Sequence, residues 1–131
     1  MKKWPSGDVY TGQVVDGNMQ GKGEYVWANG VKFRGQFVND MFAQGKAEKI
    51  WKTVTYVGET AEGMANGEGV KTWTSGTKIT GTFKKDKANG AAVLTWTDGS
   101  VLRARFINGL AEGPGEKVQD GSIFKGNYKA G

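Results

Sequence analysis

The chain has 131 residues, a length that fits one domain, with 18 basic and 13 acidic residues and neither cysteine nor histidine. The missing cysteines exclude disulfides and thiolate chemistry, and the missing histidines remove the commonest general base and metal ligand. The net charge of +5 favours acidic partners such as anionic lipid, nucleic acid or an acidic protein surface, but the charge is dispersed.

The N-terminus opens with Met1, Lys2 and Lys3, as a signal peptide would. Trp4, Pro5, Ser6, Gly7 and Asp8 then stand where an apolar run is required, so no leader is expected. No stretch approaches the length of a membrane-spanning helix.

From Tyr10 onward one pattern recurs. An aromatic or aliphatic anchor, one spacer and a small residue repeat every 23 residues at Tyr10, Phe33, Tyr56, Ile79 and Leu102. The small residues are Gly12, Gly35, Gly58, Gly81 and Ala104, and a sixth copy, one residue early, falls on Phe124 and Gly126. A fixed period in this range indicates a repeat architecture. The units run over about 10–32, 33–55, 56–78, 79–101 and 102–123, with partial units at 4–9 and 124–131. The whole chain, 1–131, therefore reads as one repeat domain.

Unit one shows the local structure. Tyr10, Gly12 and Val14 alternate with polar residues, and so do Gly23, Tyr25 and Trp27. Period two indicates strands with one favoured face. Asn29-Gly30 joins the unit to the next strand, and Ser75-Gly76, Asp98-Gly99 and Asp120-Gly121 sit at matching places. Side-chain facing decides the loop length. A three-residue loop of Ala28, Asn29 and Gly30 pairs Trp27 with Val31, Tyr25 with Phe33 and Gly23 with Gly35, keeping every apolar position on one face. On the other side of the unit, Tyr10 faces Tyr25 and Gly12 faces Gly23. Val14 is then expected opposite Gly21, with residues 15–20 as a longer loop.

This pairing lays a row of small residues across the sheet, flanked by aromatic rows. One flank holds the anchors, another Val14, Phe37, Phe83, Phe106 and Tyr128, and a third Trp4, Trp27, Trp73 and Trp96. Aromatic rings can lie over bare glycine backbone, so self-packing accounts for most of these rings, with stacked sugars or bases as the functional competitor. Unit two departs from the pattern. Shifting it by one restores the match with Gly45, Ala47 and Trp51, leaving a turn of Lys52 and Thr53 and an expected bulge or distorted hairpin around 38–54.

Tyr10, Gly12, Val14, Gly17, Gly21, Gly23, Trp27 and Gly30 closely resemble the MORN (membrane occupation and recognition nexus) repeat. Tyr56, Gly58, Gly63, Gly67, Gly69, Trp73 and Gly76 do so again, and units four and five more loosely. The resemblance implies an all-β fold, an elongated, twisted single antiparallel sheet of consecutive β-hairpins. It also implies an accessory role in protein association, dimerisation or attachment to acidic phospholipid. Five hairpins and two partial units make roughly eleven strands, and at about 4.8 Å per strand the sheet runs roughly 50 Å before curling. Both ends stop inside units, as in an excised fragment or an array capped by another chain.

The face opposite the anchors carries Lys32, Arg34, Lys78, Arg103, Arg105 and Lys125, a candidate surface for anionic ligands. Trp27, Phe37, Trp73, Phe83, Trp96 and Phe106 form a candidate aromatic partner face. Asp16, Asp40, Glu62, Asp86 and Glu112 recur about once per unit and read as loop polarity, not as a catalytic pair. Gly21 to Gly23 lack the rest of a phosphate loop. No catalytic residue, cofactor or metal is expected. The chain reads as a noncatalytic protein-interaction or assembly scaffold, self-associating or binding a protein through its sheet edges. The alternative is a peripheral module for anionic phospholipid membranes. No nucleic acid partner is expected, and the expected location is cytoplasmic, at a membrane surface on the phospholipid reading.

Overall fold

A computed structural model describes residues 1–128; residues 129–131 of the last partial unit lie outside the described residues. The strands, in chain order, are β1 (Lys2–Lys3), β2 (Val9–Val15), β3 (Asn18–Val26), β4 (Lys32–Val38), β5 (Met41–Phe42), β6 (Gly45–Ile50) and β7 (Val54–Ala61). They continue as β8 (Met64–Trp73), β9 (Lys78–Lys84), β10 (Lys87–Thr95), β11 (Val101–Ile107), β12 (Leu110–Gln119) and β13 (Ser122–Tyr128). They form a single open antiparallel sheet in which sequence neighbours pair, with β5 beside β4 just off the main path. The expected count of eleven rises to thirteen because Lys2 and Lys3 pair with Tyr10 and Val9, and because unit two's second strand is broken into β5 and β6.

The hairpins at the anchors follow the expected register. Tyr25 stands opposite Phe33 and Gly23 opposite Gly35, while the Trp27 N–H donates to Val31 O at 2.9 Å across a three-residue loop. Trp51 N–H donates to Val54 O at 2.8 Å, which closes the two-residue turn of Lys52 and Thr53. The shortened last repeat has the same origin. Gln119 pairs directly with Ser122 across Asp120 and Gly121, a two-residue turn where units one, three and four use three residues.

The other hairpins correct the sequence reading. Val14 stands opposite Met19, not Gly21, and residues 15–20 are not a long loop, since Val15 pairs with Asn18. Asp16 and Gly17 alone make the turn, at φ 50° and 80°. Left-handed backbone at both central residues is the signature of the tight hairpin turn whose twist matches its strands. Asn39-Asp40, Glu62-Gly63, Lys85-Asp86 and Asn108-Gly109 repeat it. Room for the tight turn comes from a bulge. Gln20, Gly21 and Lys22 together oppose Gln13, with Gly21 at φ 76°, and Gly67, Gly90 and Gly113 bulge likewise in later units. A bulge that adds residues to one strand cannot be detected by counting pairs from one end.

The recurring carboxylates are thus in tight turns, not long loops, and Glu112 lies within β12. Asp40 and Asp86 use the turn to clamp the neighbouring hairpin. Met19 N–H donates to Asp40 Oδ1 at 2.9 Å and Ala65 N–H to Asp86 Oδ1 at 2.7 Å, while the turn N–H groups donate back to Met19 O and Ala65 O at 3.0 Å each.

One face of the sheet buries the anchors. Tyr10, Phe33, Phe37, Tyr56 and Phe83 are almost fully enclosed. The enclosure needs the small-residue row, which runs unbroken from Ala47 through Gly58, Gly69, Gly81, Ala92, Ala104 and Gly115 to Gly126. Tyr10 and Phe37 lie two strands apart, roughly 9.6 Å in a flat sheet, yet their ring centroids are 4.9 Å apart, edge to face. Tyr56 and Phe83 repeat the pair at 5.0 Å. Each tyrosine hydroxyl donates to a carbonyl three residues on, Tyr10 to Gln13 O and Tyr56 to Glu59 O, both at 2.7 Å.

Burial raises the pKa of both Tyr25 and Tyr56 to about 12, from an ordinary value of 10.0, helped at Tyr25 by its hydrogen bond to Asp8. The unfolded chain loses those protons near the ordinary value, so stability is complete below it and falls as pH rises through about 12. Burial raises Tyr10 as well, so absorbance at 295 nm should show Tyr10, Tyr25 and Tyr56 ionising above the ordinary value, together with the tryptophan-fluorescence change of unfolding. Four phenols titrating at the ordinary value in a folded chain would contradict this burial.

Candidate functional site: a tryptophan–lysine ladder

Next to the anchors the same face carries a row that sequence reasoning missed. Tyr25, Lys49, Lys71, Leu94 and Lys117 occupy matching positions on β3, β6, β8, β10 and β12. They lie 24, 22, 23 and 23 residues apart, a signal hidden by the change of residue type within the row. Two residues further along the chain stand Trp27, Trp51, Trp73 and Trp96. The lysine ammoniums lie over these rings: Lys49 at 5.2 Å from Trp27 and 5.0 Å from Trp51, Lys71 at 5.0 Å from Trp51 and 5.8 Å from Trp73, Lys117 at 4.8 Å from Trp96. Such contacts contribute about 0.5–2 kcal/mol each, more where water is excluded.

The ladder is most enclosed at its centre. Lys49 is buried and its ammonium pairs with Asp86 Oδ2 at 2.6 Å. Lys71 donates to the Asp86 carbonyl at 2.9 Å. Burial lowers the Lys71 pKa, partly offset by the Asp86 charge. Asp86 therefore joins both lysines to the hairpin clamp through its turn position. Beside them an open groove of about 420 Å³ runs between Trp27, Trp51, Lys49, Met64 and Asp86. Phe42, from the broken strand of unit two, packs into the aromatic cluster beside it. Its ring lies 4.8–5.6 Å from those of Phe33, Phe37, Tyr25 and Trp27. The irregular unit thus supplies a plug for the aromatic cluster.

The expected aromatic face divides in two. Trp27, Trp73 and Trp96 are half-buried and reach the surface. Phe37, Phe83 and Phe106 are core residues, so no partner reaches them without unfolding the sheet. The rings next to the small-residue row fold into it, and only the outermost row stays open.

Lys32, Arg34, Lys78, Arg103, Arg105 and Lys125 all lie on the opposite face, but four of them are interleaved with acids. Arg34 Nε bonds Glu24 Oε2 at 2.6 Å and its guanidinium lies 3.7 Å from Glu48. Arg103 and Lys125 both stand beside Glu116, and Arg105 beside Glu112. Lys32 and Lys78 stand among Val26, Ile50, Thr72 and Thr95. The face is of mixed charge and does not bring these cations together as one patch.

A family model for the MORN repeat matches residues 10–32, 56–78 and 80–101, together over half of the chain. The chain belongs to the MORN repeat family. The unmatched stretches are the units that depart most from the period: unit two with its broken strand, and unit five with Leu102, Ala104 and no tryptophan. In this MORN array the lysine ladder occupies positions between the tryptophans, in the row that Tyr25 opens. Comparison with curated proteins found no match.

Proposed function

We propose that this MORN array is a noncatalytic interaction scaffold whose tryptophan–lysine face holds a protein segment bearing acidic side chains. The observation that carries the reading is the placement of Lys49 and Lys71 between tryptophan rings, and of Lys117 against Trp96, on a face where Tyr25 and Leu94 show that uncharged residues fit. Burying an ammonium costs stability, and a sequence that breaks a packing rule repeatedly, at one row, points to a use beyond folding. Half-buried tryptophans supply rigid apolar area, and the lysines between them set the sign of what can lie across.

Panning a random peptide library against the full chain tests the proposal. Selected peptides should be rich in Asp and Glu beside apolar residues. Their affinity should drop about tenfold or more in Trp51→Ala and in Lys117→Met, and hold in Arg34→Ala. Peptides that bind all three variants alike would refute the ladder. Salt-sensitive cosedimentation with anionic but not neutral vesicles, without peptide binding, would replace this reading by the phospholipid one.

A further inference from the structure

The face away from the tryptophans carries a charge pattern with its own symmetry. Along one line across the sheet, the outward residues of β3, β4, β6, β7 and β8 are Glu24, Arg34, Glu48, Val57 and Val70. The line continues on β9 to β13 as Thr80, Val93, Arg103, Glu116 and Lys125. The apolar residues occupy the middle, and Val57 is 55% exposed there. Charged residues occupy both ends. That is the layout of an interface, with an apolar centre and a polar rim.

We propose that this face binds a second copy of the chain about a two-fold axis running parallel to the strands between β8 and β9. Such an axis reverses the line and lays it on itself. Val70 then meets Thr80 of the second copy, and Val57 meets Val93. Outside them Glu48 meets Arg103, Arg34 meets Glu116 and Glu24 meets Lys125. Every charge in the line finds its opposite, and the two-fold makes each contact twice, as a self-complementary interface requires. The pattern excludes the half-step positions of the axis on either side, and a whole-strand shift leaves only one opposite-charge pairing in place of three. Moved onto β8, the axis sets Arg34 against Arg103 and Glu24 against Glu116. Moved onto β9, it sets Glu48 against Glu116 and Arg34 against Lys125. Both alternatives repel.

The neighbouring line, two residues along each strand, agrees. The same axis sets Val26 on Ile123, Ile50 on Val101 and Thr55 on Thr95, with Lys32 on Val118 and Lys78 on Thr72, and brings no like charges together. The line on the other side contains one like-charge encounter, Lys46 on Arg105, which leaves room for improvement. Two sheets stacked this way lie about 10 Å apart with aligned strands, an ordinary sandwich spacing. The tryptophan face is left free, so this proposal and the segment-binding one stand or fall separately.

Sedimentation of the full chain over a concentration range tests the dimer. The unmodified chain should be dimeric at about 100 µM. Glu48→Arg alone and Arg103→Glu alone each create two repulsive contacts and should weaken the dimer roughly 100-fold. The double variant restores both contacts with reversed sign and should recover most of that loss. Within one chain, Glu48→Arg sets a second cation beside Arg34 in the single and the double variant alike, so a merely local disturbance would not be rescued. Lys46→Glu should tighten the dimer about tenfold. A monomer at that concentration, a dimer indifferent to the single variants, or a double variant no better than the singles would each overturn the proposal. Far-ultraviolet circular dichroism on every variant confirms that the sheet is intact.

Discussion

Gly69→Ala is expected to cost about 3 kcal/mol of folding stability, the upper end for overpacking a core. Gly69 lies under the Tyr56 ring, and a Cβ built there would overlap the phenol. The ring has nowhere to go. Its hydroxyl is bonded to Glu59 O at 2.7 Å, its edge packs on Phe83 at 5.0 Å, and Tyr56 has no exposed surface. The control lies in the same row. A Cβ on Gly126 meets no atom within 4 Å, so Gly126→Ala should change stability by no more than about 0.5 kcal/mol. Urea unfolding monitored by tryptophan fluorescence reads both, with shifts in midpoint at constant slope. Equal costs at the two glycines would mean that the row is set by backbone conformation and not by the rings above it. Unit four suggests a compensating change. There the anchor is Ile79 and the residue corresponding to Gly69 is already Ala92. Tyr56→Ile should therefore recover part of the Gly69→Ala loss.

The same covering of glycine by aromatic rings explains what the sequence displayed and what it concealed. Anchor, glycine row and tryptophan row recur with one period, because every strand pair must place a ring over bare backbone in the same way. The register around Gly23 and Gly35 could be read directly from alternation, and that at Ala47 after a shift of one residue. The bulges could not, because Gly21 and Gly23 look alike in a sequence, while only Gly21 is left-handed at φ 76°. Hence the tight Asp16-Gly17 turn was hidden behind an expected six-residue loop. The ladder was hidden for a different reason. Its row holds Tyr25, Lys49, Lys71, Leu94 and Lys117, so neither hydropathy nor charge repeats along it. Lys49 is identifiable as a site residue only through contacts with Trp27, Trp51 and Asp86 that come from three different hairpins.

Asp86→Ala should cost about 3–5 kcal/mol, the range for removing one partner of a buried ion pair. Three things are lost at once. The Lys49 ammonium, with a side chain only 8% exposed, is left with no carboxylate. The Ala65 N–H, bonded to Asp86 Oδ1 at 2.7 Å, loses its acceptor. A left-handed position at φ 72° passes to a residue that disfavours it. Lys49→Met keeps the bulk between Trp27 and Trp51 while removing the charge and its desolvation cost, so alone it should fall within about 1.5 kcal/mol of the unmodified chain. The double variant should then be more stable than Asp86→Ala by about 2 kcal/mol, a coupling of the size expected for neighbours in one network. Asp86→Asn should fall between, because it retains the acceptor for Ala65 and tolerates the turn. If the double variant is no more stable than Asp86→Ala, the loss arises from the turn clamp and Lys49 is indifferent to its partner. If the coupling holds, Lys49→Met becomes the sharpest probe of the ladder. It would keep the fold while removing from the ladder an ammonium that Asp86 already holds, so loss of binding without loss of stability would separate the two roles of the row.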